Sequence, residues 1–416
     1  MKIPKFSMGI GDRFGKQGQA QLSAFIEAKN KGIIIAPVWN KSNREHQIIG
    51  STPSDVRREA DTAVKSLGWQ DAYFVDADHI NNKNVISFLE YSDFFTIDVA
   101  DYVGKVANDA ELIENFSTKS KKLLNKTLCY DSEGNKITIT EEDIKICSQK
   151  YLSSVSEAKA IYDTIKKAKG ENNFVAELSM DETNEPQCPA LLLLILLAVS
   201  HLKIPIQTVA PKFTGRFNKG VDYVGDINKF DREFAGDLAV INFAKKEFDL
   251  PPTLKISIHS GSDKFSIYPV IKSKLQKTGE GLHLKTAGTT WLEECIGLAE
   301  AGGDCLKLVK KFYKEALKRR DELCTPYATV IDINFKNLPQ ESEVDKWDKN
   351  QFINALKHNK ENKEFNPDLR QLMHIAYKIA AESSKEFYSA LEYAKETVAK
   401  NVRENILERH IKPLFM

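Results

Sequence analysis

Three histidines of the chain lie at the ends of predicted strands, and acidic residues stand in the loops at two of these strand ends. His79 ends the sequence DADH after the run YFV, His259 follows KISI at 255–258, and His283 follows GL at 281–282. Neutral imidazoles and carboxylates suit a zinc, manganese, nickel or iron ion with open positions for a substrate. One such histidine is more often a hydrogen-bonded core residue, but three in equivalent places favour a divalent-metal site with His79, His259 and His283 as ligands.

Glycine-containing loops carry cations beside small hydrogen-bond donors at residues 41–44, 212–220 and 260–264. Lysine and arginine next to backbone amides suit a carboxylate or a phosphate, although each loop alone is as typical of an ordinary solvated turn. A further run, GIGDRFG at 9–15, has three residues between its second and third glycines. A dinucleotide site has two there, and no strand is predicted before this run. We therefore expect no nicotinamide cofactor.

The elements that could position these residues alternate along the chain. Nearly continuous apolar runs are typical of parallel strands covered on both faces. Strand candidates are found at 32–38, 72–75, 94–99, 174–178, 204–210, 254–259, 282–286 and 329–333. Helical stretches lie between several of them, at 55–67, 190–202, 291–298 and 306–322. The pattern predicts an α/β protein with a (β/α)8 TIM-like barrel, whose active site lies at the carboxyl ends of its strands, with a doubly wound open sheet as the alternative.

Two regions depart from this alternation. Residues 107–169 are polar and charged, with a turn sequence at 131–135 and lysine-rich flanks, and we predict an inserted helical subdomain there. From about residue 340 the chain has charged, helical periodicity, which predicts a C-terminal helical appendage over 340–416. Because no repeat, low-complexity stretch or proline-rich linker divides the chain, residues 1–416 are expected to form a single catalytic barrel domain.

The composition argues against several classes of function. With 59 Lys and Arg against 58 Asp and Glu, the chain lacks the basic excess that general nucleic-acid binding requires. Six cysteines in 416 residues, none in a C-x-x-C pair, predict reduced thiols rather than a disulfide scaffold. No apolar run approaches the roughly 20 residues needed to span a bilayer. We predict a cytoplasmic protein with no membrane or nucleic-acid partner, and the sequence leaves its oligomeric state open.

Longer motifs make the chain similar to one family. They are GIGDRF at 9–14, PVWNKSNREH at 37–46, DADH at 76–79, APKFTGRFNKGVDYVGD at 210–226, HSGSDKF at 259–265 and HLKTAGTTW at 283–291. In these motifs, and nearly from end to end, the chain resembles the bacterial tagaturonate epimerase family. The resemblance implies a divalent-metal-dependent interconversion of D-tagaturonate and D-fructuronate in hexuronate catabolism. Because that family also resembles epimerases of the neutral sugar tagatose, a tagatose 4-epimerase is an alternative.

The implied reaction inverts a hydroxyl-bearing carbon β to the ketone, which abstraction of an α-proton cannot achieve. Retro-aldol cleavage and recombination is favoured over transient oxidation, because the sequence has no dinucleotide fingerprint. As a hypothesis, Asp78 accepts the hydroxyl proton and Glu177 donates a proton on the other face. Alternatively, Asp78 orients His79 and Glu177 is a fourth metal ligand. The predicted substrate contacts are Lys212, Arg216 and Lys264 for the carboxylate, with Asn40, Lys41, Arg44 and Lys285 as further contacts.

Two other functions stay open from the sequence. A metal-dependent aldolase would release three-carbon fragments instead of recombining them, and product analysis distinguishes it. A non-catalytic sugar-acid binding protein could use the same barrel. The dense acid, base and histidine clusters at four strand ends argue against this last function, since binding alone needs no such pairing.

Overall fold

The computed structural model describes residues 1–107, 109–130, 134–260, 262–286 and 289–416. Asp131, Ser132 and Glu133 of the predicted turn, and Gly261, Ala287 and Gly288 of the motifs, lie outside these residues. The strands are β1 Phe6–Ile10, β2 Ala36–Ser42, β3 Phe74–Ile80, β4 Phe94–Asp98, β5 Thr127–Cys129, β6 Lys136–Thr138, β7 Val175–Ser179, β8 Thr208–Ala210, β9 Lys255–His259 and β10 Leu282–Lys285. Eight of them close into a parallel barrel in the order β1, β10, β9, β8, β7, β4, β3, β2. The predicted (β/α)8 barrel is confirmed.

One of the eight predicted strands is wrong, and β1 takes its place. Residues 329–333 form a turn and irregular backbone, whereas β1 pairs with both β2 and β10 and so closes the barrel. Ser7 and Gly9 interrupt the apolar pattern of β1. A Cβ at Gly9 would crowd Lys285, at 3.0 Å from its Cγ and 3.2 Å from its Cα. The glycine run at 9–15 therefore does have a strand at its start, contrary to expectation, although its glycine spacing still differs from a dinucleotide fingerprint.

Strands β2 and β3 run further than the apolar pattern predicted. That pattern ended at Val38 and Val75, but the strands continue to Ser42 and Ile80. An apolar pattern stops at the first polar residues, but the strand itself need not. In a barrel, every second side chain of a strand points to the interior, where a polar side chain can form hydrogen bonds with other polar groups. Near the amino ends of β2, β3, β4 and β7 the interior is apolar, because Phe74 packs there with Ile3, Ala36, Val38, Phe94 and Val175. Buried Lys255, at the start of β9, is a polar exception at this end. Asp76, Asp78, Glu177 and Lys285 lie further towards the carboxyl ends, where the chemistry is expected.

Helices surround the barrel. Their bounds are α1 Gly18–Asn30, α2 Asn43–Ile49, α3 Pro53–Leu67, α4 Val85–Phe88, α5 Ala110–Ser120, α6 Glu141–Lys150, α7 Leu152–Lys169, α8 Pro189–His201, α9 Ile227–Glu247, α10 Tyr268–Thr278, α11 Thr289–Ala301, α12 Gly303–Lys318, α13 Arg320–Cys324, α14 Glu341–Val344, α15 Lys349–Leu356, α16 Pro367–Ile375, α17 Tyr377–Glu382, α18 Ser384–Tyr393, α19 Lys395–Glu404 and α20 Lys412–Phe415, with a π-helix at Asn405–Ile411. Short 3₁₀-helices span Ala100–Tyr102, Lys121–Leu123, Phe265–Ile267, Thr325–Tyr327 and Phe335–Asn337. The predicted helices 55–67, 190–202 and 291–298 correspond to α3, α8 and α11, and the helix predicted at 306–322 is divided between α12 and α13. Among the described helices, none is long and apolar enough to cross a membrane.

The regions that break the alternation have the expected helices and one unexpected hairpin. Residues 107–169 hold α5, α6 and α7 between β4 and β7, together with the antiparallel pair β5 and β6, which the sequence pattern did not indicate. Residues 340–416 form α14 to α20 and share a hydrophobic core with α1, α3 and α11. The division into a single barrel domain, an inserted subdomain and an appendage stays a prediction.

Candidate active site

A β-bulge at the carboxyl end of β3 directs His79 towards the barrel mouth. The pairing of β3 with β4 shifts register within residues 77–80, and His79 has a φ of 53°, which is uncommon outside glycine. In a regular strand, Asp78 and His79 would face opposite sides. With the bulge, His79 Nε2 lies 3.3 Å from Asp181 Oδ1, and its ring centroid is 5.2 Å from that of His259.

His79, Asp181 and His259 form the candidate metal site. Each offers one ligand atom, and these atoms lie within 4.8 Å of one another. Three strands supply them, because the histidines come from β3 and β9 while Asp181 follows β7 by two residues. The sequence analysis recognised both histidines but missed Asp181. Its position in the acidic run 177–182, directly after a predicted strand, was the signal that could have found it.

The structure does not bring His283 to this group. Its Nδ1 shares a hydrogen bond of 2.9 Å with Ser7 Oγ, and its ring packs on Phe94 with centroids 5.2 Å apart. Burial lowers the pKa of His283 to about 3, so the imidazole is neutral at physiological pH. His283 and Lys285 both point into the barrel, and two residues span roughly 6.6 Å along a strand. His283 therefore lies one layer deeper than the candidate metal site.

Lys285 lies among three buried carboxylates. Its Nζ is 2.9 Å from Asp76 Oδ2, 2.9 Å from Asp78 Oδ1 and 3.3 Å from Glu177 Oε1, and it donates to Thr96 Oγ1 at 2.6 Å. Burial would lower the pKa of Lys285, but these carboxylates hold it well above its ordinary value. Burial raises the pKa of Asp76 to about 6 in spite of the ammonium. The Lys285 ammonium is thus already engaged by acidic groups of the protein.

Asp78 and Glu177 each contact a candidate metal ligand. Asp78 Oδ1 accepts a hydrogen bond from His79 Nδ1 at 2.7 Å, and Glu177 Oε1 accepts one from His259 Nε2 at 2.8 Å. Each contact fixes an imidazole so that its opposite nitrogen faces Asp181. Burial would raise the pKa of Glu177, but the neighbouring ammonium and imidazole hold it well below its ordinary value. Glu177 is therefore ionised near neutral pH, which suits it poorly to donating a proton.

Several predicted substrate contacts are engaged elsewhere in the protein. These are Lys41 Nζ with the Arg13 carbonyl at 2.8 Å, Arg216 with Asp332 at 2.7 Å, Lys264 Nζ with the Val221 carbonyl at 2.7 Å and Arg44 over the Tyr327 ring at 5.5 Å. Lys212 differs, because its Nζ lies 3.4 Å from the Asp181 carbonyl, beside the candidate metal site. Asn40 lies on β2 opposite Asp76. It is 2% exposed, and neither amide atom has a hydrogen-bond partner among the described residues.

Asp98 lies close to the candidate metal site, and the sequence analysis did not single it out. It is half-buried at the end of β4, in register with Ser179, whose hydroxyl donates to Asp181 Oδ1 at 2.5 Å. Burial raises the pKa of Asp98 to about 6, against the opposing effect of His79. An acid near the end of the predicted strand 94–99 was the available signal.

C-terminal helices hold the loop that follows His259. Asp263, four residues further on, is fully buried and accepts a hydrogen bond from Arg370 Nη2 at 2.8 Å. Its other oxygen lies 3.2 Å from His410 Nε2. Arg370 also donates through Nε to the Gly220 carbonyl at 2.6 Å. The loops after β8 and β9 are therefore fastened to the C-terminal helices, a contact that no local sequence pattern indicates.

Comparison with known proteins finds similarity to tagaturonate/fructuronate epimerases. The tagaturonate/fructuronate epimerase of Thermotoga maritima is 27% identical over 418 residues, which cover 96% of this chain and 80% of that protein. The native crystal structure of the fructuronate-tagaturonate epimerase UxaE from Cohnella laeviribosi is 24% identical, with a TM-score of 0.82, and the match covers 100% of this chain and 82% of that one. A complex of that enzyme with one glycerol gives a TM-score of 0.80 at 24% identity with the same coverage. At this identity the crystal structures support the fold.

The family comparison covers almost the whole chain. A model described as tagaturonate epimerase, UxaE, matches residues 1–414, which include every barrel strand, the region 107–169 and nearly all of the C-terminal helices. Epimerases are isomerases, and the similar chains carry the same description. The chain therefore belongs to the tagaturonate epimerase family and is an enzyme of the isomerase class.

Proposed function

We propose that the chain interconverts D-tagaturonate and D-fructuronate with the aid of a divalent cation held by His79, Asp181 and His259. The observation that carries this proposal is the convergence of the three groups within 4.8 Å at the carboxyl ends of the barrel strands, in a member of the tagaturonate epimerase family. Enzymes with a TIM-type barrel bind their substrates at that end.

The charges around the candidate metal site suit a cation. The carboxylates of Asp76, Asp78, Glu177 and Asp181 are linked through direct contacts to the Lys285 ammonium and the two imidazoles. A divalent cation would offset the surplus of negative charge. Imidazole nitrogen with carboxylate oxygen suits zinc, manganese, nickel or iron, and carboxylates that orient the imidazoles are typical partners of metal-binding histidines.

The two keto-uronates differ at a hydroxyl-bearing carbon β to the ketone, which limits the possible chemistry. Once the hydroxyl proton is removed, the bond from this carbon to its α neighbour can break, and its electron pair forms an enediolate with the ketone. The other fragment is a three-carbon aldehyde that carries the carboxylate. Rotation of this aldehyde, re-addition of the enediolate to its opposite face and return of the proton complete the inversion. A divalent cation would polarise the ketone.

Asp98 suits the proton transfer better than Asp78. Burial would raise the pKa of Asp78, but Lys285 and His79 hold it well below its ordinary value, so Asp78 is a weak base. The pKa of Asp98 is raised to about 6, which matches a group that accepts and returns a proton near neutral pH. The pKa of Asp76 is also about 6, but Asp76 is fully buried and lies 2.9 Å from the Lys285 ammonium, whereas Asp98 is half-buried. Asp78 and Glu177 would then orient the metal-binding imidazoles.

Lys212 and Asn40 would position the substrate. Within the described part of the chain, the Lys212 ammonium has only a long contact, with the Asp181 carbonyl at 3.4 Å. It can therefore donate to a ketone or hydroxyl oxygen close to the metal site. Asn40 faces the interior with a free amide donor and a free carbonyl acceptor among the described residues. A sugar hydroxyl satisfies both at once, which would remove the cost of their burial.

Product analysis tests the proposed reaction. The metal-reconstituted protein is incubated separately with D-tagaturonate, D-fructuronate and D-tagatose, and the products are separated by chromatography. We expect the same mixture of the two uronates from either one. If three-carbon products accumulate, the protein is an aldolase and the proposed function is wrong. If only D-tagatose is converted, the substrate is a neutral ketose instead of a uronate.

Metal analysis tests the ligand set. His79→Ala and Asp181→Ala are expected to lose bound metal and turnover, whereas His283→Phe, one layer deeper, should retain the metal. His201→Ala serves as the matched control, because His201 lies at the end of α8 and contacts Lys119 instead of the barrel interior. Full metal occupancy and activity in His79→Ala would remove that residue from the site.

A further inference from the structure

Lys219 lies in a loop that is held on both sides. Its N–H donates to the Val330 carbonyl at 2.8 Å, and the N–H of Gly220 donates to Ser262 Oγ at 2.9 Å. The side chain of Lys219 is half-buried, and its ammonium has no hydrogen-bond or ion-pair partner in the part of the chain that the structure describes. Among the described residues, Lys219 is therefore a cation without a counter-ion, and its loop is held in place by backbone hydrogen bonds.

His374 of α16 packs against this loop, and its ring nitrogens are not satisfied. The residue is 1% exposed, and neither Nδ1 nor Nε2 has a partner among the described residues. Gly220 permits the close approach, because it has a φ of 80° and an added Cβ would lie 3.3 Å from His374 Cβ. Buried polar groups normally have hydrogen-bond partners, so two orphaned nitrogens point to a bound ligand.

The surroundings of His374 are cationic. Burial holds the pKa of this imidazole well below its ordinary value, and the charges of Arg13, Lys219, Arg370 and Lys264 lower it further. Arg13 is paired with a glutamate, Arg370 with a buried aspartate, and the Lys264 ammonium is bonded to backbone carbonyls. The groups left to receive a ligand are a neutral imidazole and the Lys219 ammonium, which together suit a carboxylate.

These groups lie on the side of the barrel where substrate is expected. Lys219 follows β8 and Arg13 follows β1, so both stand beyond the carboxyl ends of strands, as does the candidate metal site. In the proposed reaction the carboxylate lies on the opposite side of the inverting carbon from the ketone. We propose that Lys219 and His374 bind the carboxylate of the keto-uronate, an inference that rests on the proposed function. They would determine specificity for a sugar acid over a neutral ketose.

His374→Phe and Lys219→Met test this inference in the metal-loaded protein. Because the His374 nitrogens bond no described group, phenylalanine removes no hydrogen bond seen within the protein, and we expect unchanged melting temperature and metal content. The KM for D-tagaturonate is expected to rise about 10- to 100-fold in each variant, the effect of losing a hydrogen bond to a charged group. Lys229→Met replaces an exposed lysine at the start of α9 and should keep the wild-type KM.

The outcomes separate the inference from the proposed function. If both variants keep the wild-type KM for D-tagaturonate, the inference is overturned. The proposed function still stands in that case, provided that the wild-type protein converts D-tagaturonate. The inference would also be overturned if His374→Phe lowered the melting temperature and kcat but left KM unchanged, because His374 would then have a structural role. An equal rise of the KM for D-tagatose would contradict carboxylate recognition, because that sugar has no carboxylate. If the wild-type protein converts no D-tagaturonate, both proposals fail.

Discussion

Lys285→Met removes a buried ammonium that lies within 3.3 Å of three carboxylates. Breaking a buried ion pair by deleting one partner costs about 3–5 kcal/mol, because the remaining charge is buried without compensation. A chain of 416 residues unfolds with an entropy of about 0.9 kcal/mol/K, so this loss corresponds to a melting temperature about 3–6 °C lower. Melting of the metal-free protein isolates this effect from metal binding.

The destabilisation by Lys285→Met should depend on pH. The pKa of Asp76 is already raised to about 6 in the folded protein, and it rises further when the ammonium is removed. The pKa of an aspartate in the unfolded chain is about 3.9. A carboxyl whose pKa is higher than this in the folded protein stabilises the fold at low pH, and this stabilisation is lost as pH rises through the folded pKa. We therefore expect a larger loss of melting temperature at pH 8 than at pH 5.5.

Lys310→Met is the matched control for this experiment. Lys310 is also buried, but its Nζ donates to the carbonyls of Asp345 and Trp347 instead of to carboxylates. Its removal should lower the melting temperature by a similar amount at both pH values. The reasoning about Lys285 is refuted if its variant is as stable as the wild-type protein, or if its loss of stability is the same at pH 5.5 and pH 8.

Three further predictions concern the site and its supports. Glu177→Gln weakens the hydrogen bond that orients His259, so Mn²⁺ affinity measured by calorimetry should fall about 10- to 100-fold; wild-type affinity would contradict the orienting role. Asp98→Asn removes the carboxylate with a pKa of about 6. The wild-type kcat/KM should fall as pH drops below about 6, and the variant should lose turnover at every pH. An active variant whose kcat/KM falls at the same acidic pH as the wild type would exclude Asp98 as the group that transfers the proton. Arg370→Met leaves Asp263 buried without its guanidinium, and urea unfolding should show a loss of about 3–5 kcal/mol; a variant that unfolds at the wild-type urea concentration would show that the pair is not stabilising.

Several parts of the fold could be predicted from local patterns. Apolar runs indicated seven of the eight barrel strands, because a strand covered on both faces is apolar along its length. The exception is β1, where Ser7 and Gly9 interrupt the run and only the pairing with β2 and β10 identifies the strand. The hairpin of β5 and β6 also escaped, since strands of three residues carry little periodicity.

The sequence by itself determined the barrel class, the end at which the chemistry lies and most of the chemical groups present there. Tertiary structure decided which of them meet. A bulge turns His79 towards Asp181, and strand register places His283 beside Ser257, one layer below the level of His259 and Lys285. The helix that carries His374 reaches the loop at Gly220 from 154 residues further along the chain. The physical reason is that side-chain alternation is local, whereas register, bulges and long-range helix packing depend on the whole closed barrel.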